Sequence, residues 1–309
     1  MLYFYIVMKY NCGLSAPHPI ERGTLMKYID LHVHSTVSDG TLTPTELVDH
    51  AVEKGLSAFA LTDHDTIRGI AEAKERAAWH KARGNAIDVY SGVEISAAYK
   101  ERDIHILGLL VNENDEILDR ILNNFLENRN RRNERMLEKF AEFGIALTME
   151  DLTEDAPSSV ITRAHFATAL MKKGLVSSVQ EAFEKYVGDN GPCYIPREYM
   201  SPEQAISSIK KAGGVPVLAH PLLYNLPHDE LYSLVDRLKK AGLKGIEVYY
   251  SNNRGQDEVN VKALANHFGL VATGGSDYHG SVKPHIELGT GRGNLKIPYS
   301  VLENVIAAK

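Results

Sequence analysis

The sequence predicts an α/β fold, a parallel sheet or barrel of βα units, and two observations carry that prediction. From residue 28 onward, apolar runs of strand length alternate with helical patterns. Each helical pattern opens near a capping residue or turn signal and closes on glycine, as helices do.

The elements follow in order. "YIDLHVH" (28–34) reads as the first strand and "TPTELVDHAVEKG" (43–55) as the helix after it. "SAFALTDH" (57–64) and "TIRGIAEAKERAAWHKARG" (66–84) repeat the unit, and "IDVYSGVEIS" (87–96) and "IHILGLLV" (104–111) are the next strands. The alternation resumes with the helix "SPEQAISSIKKAGG" (201–214) and the strands "VPVLAHP" (215–221) and "GIEVYY" (245–250). It closes with the helix "QDEVNVKALANHFG" (256–269) and the strand "LVATGGSDYH" (270–279). Between about residues 112 and 200 the pattern is helical throughout: "NDEILDRILNNFLENRNRRNERMLEKFAEFG", "TRAHFATALMKKG" and "VQEAFEKYVG" place apolar residues three to four apart. Residues 112–200 are therefore expected to form an insert over one end of a barrel made from 26–111 and 201–309. "GPCYIPREYMSP" (191–202), with three prolines and a glycine, looks like the return.

Composition narrows the function classes. At 309 residues with 44% hydrophobic and 24% charged residues, the chain has the material for a substantial core, which excludes disorder as the default. A net charge of −6 gives no global attraction to duplex nucleic acid. Cys12 and Cys193 alone support neither a disulfide framework nor a thiolate zinc site, so a reducing cytoplasm is the expected compartment.

Residues 1–25 read as a translated leader. They open on a short apolar run with no basic stretch before it, too short to span a bilayer and unlike an export signal. Met26 stands two residues before the first strand, and "ERG" (21–23) can be encoded by an unbroken purine run where a bacterial ribosome-binding site would lie. The alternative is a real but loosely ordered arm. N-terminal sequencing of natively expressed protein decides: Met1 or Leu2 at the terminus rules the leader out.

Polar, titratable residues crowd the carboxyl ends of the predicted strands. His32, His34, His64, His105, His220 and His279 lie there, with Asp39, Glu94 and Asp277 in the same kind of position. Active sites of α/β barrels gather at that end, because its side chains share one open mouth. His32 and His34, two apart on a strand, leave the same face and can grip one ion; Asp277 and His279 repeat the arrangement. A lone histidine such as His105 is ordinarily a hydrogen-bonded core residue, and "TDHDT" read alone is a polar strand end with Asp65 or Thr66 capping the next helix. Nine such groups buried together without metal would be electrostatically costly. Nitrogen and oxygen ligands without sulfur suit Mn²⁺, Zn²⁺ or Fe²⁺.

"DLHVHSTVSDG", "ALTDHDT", "SGVEIS", "LAHP" and "GSDYHG", in that order, resemble the polymerase-and-histidinol-phosphatase (PHP) superfamily of metal-dependent phosphoesterases, over nearly all of residues 27–290. The resemblance implies a distorted (β/α)7 barrel with a mostly helical cap and two or three divalent ions, Mn²⁺ foremost. Carried over residue by residue, it implies one site from His32, His34, Glu94 and Asp277, a second from Glu94, His105 and His220, and a third from Asp39, His64 and His279. Many family members have histidine where this chain has Asp39. The aspartate looks like the subgroup of nucleoside 3′,5′-bisphosphate phosphatases and short-RNA 5′-to-3′ exonucleases, and "ITRAHFATALMKKG" with "AFEKYVGDNGPCYIPRE" is similar to that subgroup's cap.

On this reading Arg163, His165, Lys185 and Arg197 reach from the cap to substrate phosphate. Arg163 opens a helix, where the dipole disfavours a cation that has no other work. A metal-bridging hydroxide would attack phosphorus, with His220, Asp277, Asp65 or metal-bound water handling the proton. The implied substrate is a small phosphorylated nucleotide such as pAp, or short 5′-phosphorylated RNA, with no duplex DNA, membrane or protein partner implied. The alternatives are a small-metabolite phosphatase acting on a compound such as histidinol phosphate, a non-catalytic module, and amide hydrolysis on a related cluster.

Overall fold

The computed structural model describes residues 27–100, 102–154, 161, 163–188, 190–196 and 200–309; the expected leader, 1–25, lies outside them. Seven strands form one sheet in sequence order: β1 (Ile29–Val33), β2 (Ala58–Leu61), β3 (Asp88–Tyr99), β4 (Arg102–Leu109), β5 (Val215–Leu218), β6 (Gly245–Tyr250) and β7 (Val271–Gly275). A bridge between Val33 and Tyr278 joins the first strand to the segment after the last, giving a nearly closed barrel.

One expectation is corrected. The sheet is not parallel throughout, because β4 runs antiparallel to both β3 and β5. The register pairs Tyr99 with Arg102, so only two residues separate β3 from β4. So short a connection permits only a hairpin, since a parallel return needs a crossover of about a dozen residues.

Ten helices complete the described residues: α1 (Pro44–Glu53), α2 (Ile70–Lys81), α3 (Glu116–Glu142), α4 (Met149–Thr153), α5 (Arg163–Lys172), α6 (Val179–Ala182), α7 (Pro202–Lys211), α8 (His228–Ala241), α9 (Asp257–Phe268) and α10 (Tyr299–Ala307). A π-helical turn, Phe183–Val187, extends α6. Local chemistry sets the boundaries. Thr43 and Ser201 cap α1 and α7 in capping boxes with Glu46 and Gln204, each followed by proline at the first helical position. Helices α8 and α10 are additional to those predicted. α8 buries Leu231, Leu234, Val235 and Leu238 on one stripe and stops at Gly242 in the left-handed conformation, so its signal is present in the sequence.

Strand alternation places the site. Ile29 and Leu31 join an apolar cluster closed by Val301, Leu302 and Val305 of α10, while Asp30 and His32 on the alternate positions turn to polar partners. The insert has its own core, in which Met136 and Phe140 of α3 pack with Phe166, Leu170, Val187 and Ile195. The first turns of α3 belong to the barrel instead, through Leu118 and Leu122. No helix among the described residues is long and apolar enough to cross a membrane.

Candidate metal centre

Glu94, in the middle of β3 and fully buried, is the hub of the site. Its Oε2 lies 3.2 Å from a ring nitrogen of each of His32, His34 and His64, and its Oε1 lies 2.9 Å from His105 Nδ1 and 3.0 Å from His220 Nε2. His32 comes from β1, His34 follows it, His64 follows β2, His105 lies in β4 and His220 follows β5. Asp277 and His279, past β7, complete the ring: Asp277 Oδ1 lies 3.6 Å from His32 and 3.4 Å from His34. Asp39 closes the mouth, with Oδ1 3.3 Å from His279 and Oδ2 3.6 Å from His64.

Three groups place one donor atom from each residue within 4.8 Å of the others: His32, His34, Glu94 and Asp277; His34, Asp39, His64 and His279; and His64, Glu94 and His105. The first is the set implied by the resemblance. The second adds His34 to the implied set, and the third takes His64 where the resemblance has His220, which stays on the other oxygen of Glu94. The donors fit metal ions on the structure's own terms. His32 Nε2, both nitrogens of His34, His64 Nδ1 and Glu94 Oε2 are buried with no hydrogen-bond partner among the described residues. Orphaned polar atoms of this kind are rare, and here they converge on one place.

Electrostatics tie the cluster together. Burial alone would raise the carboxyls of Glu94 and Asp277, yet their neighbours hold both well below the usual range: His32 and His105 foremost for Glu94, Lys283 foremost for Asp277. Burial works against a charge on His34, but Asp277 and Glu94 prevail and push it up to about 9. At His64 burial wins, and the ring is pushed down to about 3.

A supporting layer, missed in the sequence, aims these groups. Glu247 of β6 takes His32 Nδ1 at 3.0 Å and the His220 amide at 2.8 Å. Asp63 accepts from the Ser35 amide and from both the Ser35 and Ser38 hydroxyls, each at 2.7 Å, which shapes the loop to Asp39. Asp30 accepts the Ser276 and Gly289 amides at 2.8 Å. The backbone at Asp65, His220 and Asp277 is left-handed, a strain typical of functional sites. At Gly275 a Cβ would meet the Cβ of His32 at 2.3 Å, so β7 approaches β1 closely enough only as glycine. The same signal that exposes His32, a polar residue inside a strand-length apolar run, also marks Glu247 in "GIEVYY".

Two expected site residues have partners within the protein. Asp65 Oδ1 accepts the Ser96 amide at 2.9 Å and Oδ2 accepts from Arg129 at 2.6 Å, which braces the strand end. Lys185 is exposed and pairs with Glu181 one turn away at 2.5 Å, a surface pair on the cap. Arg163 is half-buried at the start of α5, its guanidinium over the rings of Tyr194 and Phe183 and 3.5 Å from the Val187 carbonyl. His165 is half-buried on the same helix, and Arg197 lies outside the described residues.

The PHP domain model matches residues 30–192. The 5′-3′ exoribonuclease Rnm of Escherichia coli is 36% identical over 260 residues, covering 84% of this chain and 87% of that protein. The 3′,5′-nucleoside bisphosphate phosphatase of Chromobacterium violaceum is 37% identical, covering 82% and 88%. A solved structure from C. violaceum, an amidohydrolase with bound sulfate and no metal, superposes with a TM-score of 0.75 at 34% identity, covering 91% of this chain and 96% of that one.

Proposed function

This chain belongs to the PHP domain family, and from that premise we propose that it is a metal-dependent phosphoesterase acting on small nucleotides, with nucleoside 3′,5′-bisphosphates such as pAp the best match and short 5′-phosphorylated RNA a second substrate. The observation that carries the reading is the set of nine histidine, aspartate and glutamate side chains centred on Glu94, among which buried donor atoms lack partners. Two or three divalent ions bound there would supply the nucleophile and the charge neutralisation that in-line phosphoryl transfer requires. Mn²⁺ is the proposed ion.

In this proposal the chain's residues divide the work. His32, His34, Glu94 and Asp277 hold one position; Glu94, His105 and His220, with His64 nearby, hold the next; Asp39, His64 and His279 form the outermost. Glu247 fixes the ring of His32 so that Nε2 faces Glu94 and Asp277. Asp277 is held ionised with Oδ2 accepting from Tyr250 and Lys283, so it serves as a ligand and not as a proton donor. Amide hydrolysis, which the name of the structural relative raises, is disfavoured by Lys283 at the centre: a neutral amide offers an ammonium no charge to meet.

The test is phosphate release by Mn²⁺-loaded protein from pAp, AMP, histidinol phosphate and a 5′-phosphorylated RNA oligomer side by side. Release from pAp that exceeds the other monoesters and vanishes in His34→Ala supports the reading. Turnover of histidinol phosphate with pAp inert would replace it by a small-metabolite phosphatase.

A further inference from the structure

Resting on that reading of the centre, we propose that Lys283 is a substrate-binding residue whose ammonium donates to a non-bridging oxygen of the phosphoryl group being hydrolysed. Lys283 closes the short 3₁₀ turn Gly280–Val282 that leads away from His279. Its Nζ lies 2.7 Å from Asp277 Oδ2, with the lysine side chain 35% exposed and that of Asp277 only 4%. The lysine side chain therefore runs from the solvent-facing side of the mouth to the edge of the buried cluster.

The turn that carries it is anchored to the loop bearing Asp39. Thr41 donates its amide to the His279 carbonyl at 3.2 Å, and Thr41 Oγ1 accepts the Ser281 amide at 3.0 Å. Gly280 has φ of +67° and lies against Thr41, where a Cβ would approach Oγ1 to 2.0 Å. Only glycine lets the turn sit that close, so the stem of Lys283 starts from a fixed point.

The division of Asp277 between its two oxygens tells against a purely structural role. Oδ1 faces His34 and His279 at 3.4 Å and His32 at 3.6 Å, which makes it the metal-directed oxygen. Oδ2 already accepts from the Tyr250 hydroxyl at 2.9 Å, so the carboxylate is oriented without the lysine. An ammonium one carboxylate away from a cluster built for divalent cations is repelled when those ions bind. A phosphoryl dianion at the mouth offsets that repulsion, because it offers the ammonium an oxygen while others meet the ions. Lysine is well matched to this role, being a compact charge on a flexible stem, able to leave Asp277 for the substrate. The cap cation Lys185, by contrast, is occupied at the surface by Glu181.

The experiment compares wild type, Lys283→Met and Lys283→Arg as Mn²⁺-loaded full-length chains. Metal content per chain, the dissociation constant of inorganic phosphate by calorimetry, and KM and kcat for pAp are measured on each. The proposal expects Lys283→Met to keep its metal content while phosphate dissociation constant and KM rise about tenfold to a hundredfold, the loss of one charge-assisted hydrogen bond, with Lys283→Arg recovering part of it. Unchanged phosphate affinity in Lys283→Met overturns the proposal. So does loss of metal in step with loss of activity, which would make Lys283 a support for Asp277 only. Weakened phosphate binding in Lys283→Met, with a wild type that cleaves no phosphate ester, would sink the phosphoesterase reading and leave Lys283 as an anion contact.

Discussion

Glu94 and Glu247 show how two buried carboxylates of like chemistry take different work from their surroundings. Glu94 is shared by five imidazoles and keeps an oxygen without a hydrogen bond, so it is poised for cations. Glu247 spends both oxygens on His32 and the His220 amide, so it is poised to orient. Partners that fix the tautomer and direction of a ligand histidine are worth about tenfold to a hundredfold in metal affinity or activity. Glu247→Gln should therefore retain the fold by circular dichroism and lose roughly that factor in Mn²⁺ affinity by metal titration. Glu94→Gln should lose metal more completely, because every proposed position but the outermost draws on it.

At the scale of elements, α3 couples the insert to the site. Its Arg129, in the middle of the helix and 4% exposed, donates to Asp65 Oδ2 at 2.6 Å and to Ser96 Oγ at 3.2 Å, and Asp65 directly follows His64. Breaking a buried pair from one side leaves a buried charge and costs about 3 to 5 kcal/mol. Arg129→Met should lower urea stability by that order, and Asp65→Asn in the same chain should restore part of it in a double-mutant cycle. A second clamp joins α1 to α2: Arg76 grips Asp49 at 2.6 and 2.9 Å, with His80 at 2.6 Å on the same carboxylate. The Arg76 guanidinium holds Asp49 below the usual carboxylate range. A depressed acid contributes stability above its unfolded pKa of about 3.9 and loses it as pH falls through its folded value. Asp49→Asn should then melt earlier than wild type at pH 7 by a small, salt-sensitive margin, and the two curves should converge as pH falls through the lowered folded pKa of Asp49.

Across the whole molecule, the seven strands bring to one mouth residues that stand as far apart in the sequence as His32 and His279. Such a site forms only when the barrel closes, so metal binding and folding are linked. Each divalent ion held at a hundred times its dissociation constant should add about 2.7 kcal/mol, a rise of roughly 5 °C in Tm that a chelator reverses. A melting temperature indifferent to Mn²⁺ and to chelator would argue against the centre as a metal site.

The sequence by itself determined the strand positions, most of the helices and the nine residues gathered at Glu94. Those properties are local: an apolar run of strand length, a capping residue, or a histidine where a strand should be apolar can be read within a few residues. Tertiary structure decided how far β3 and β4 extend toward each other, until two residues separate them, a gap that forces β4 antiparallel. It decided that Asp65 faces Arg129 and that Lys185 faces Glu181, because a carboxylate or ammonium in a sequence does not declare its partner. And it decided the place of Lys283, which carries no strand or motif signal and acquires its contact with Asp277 only through a turn held against Thr41.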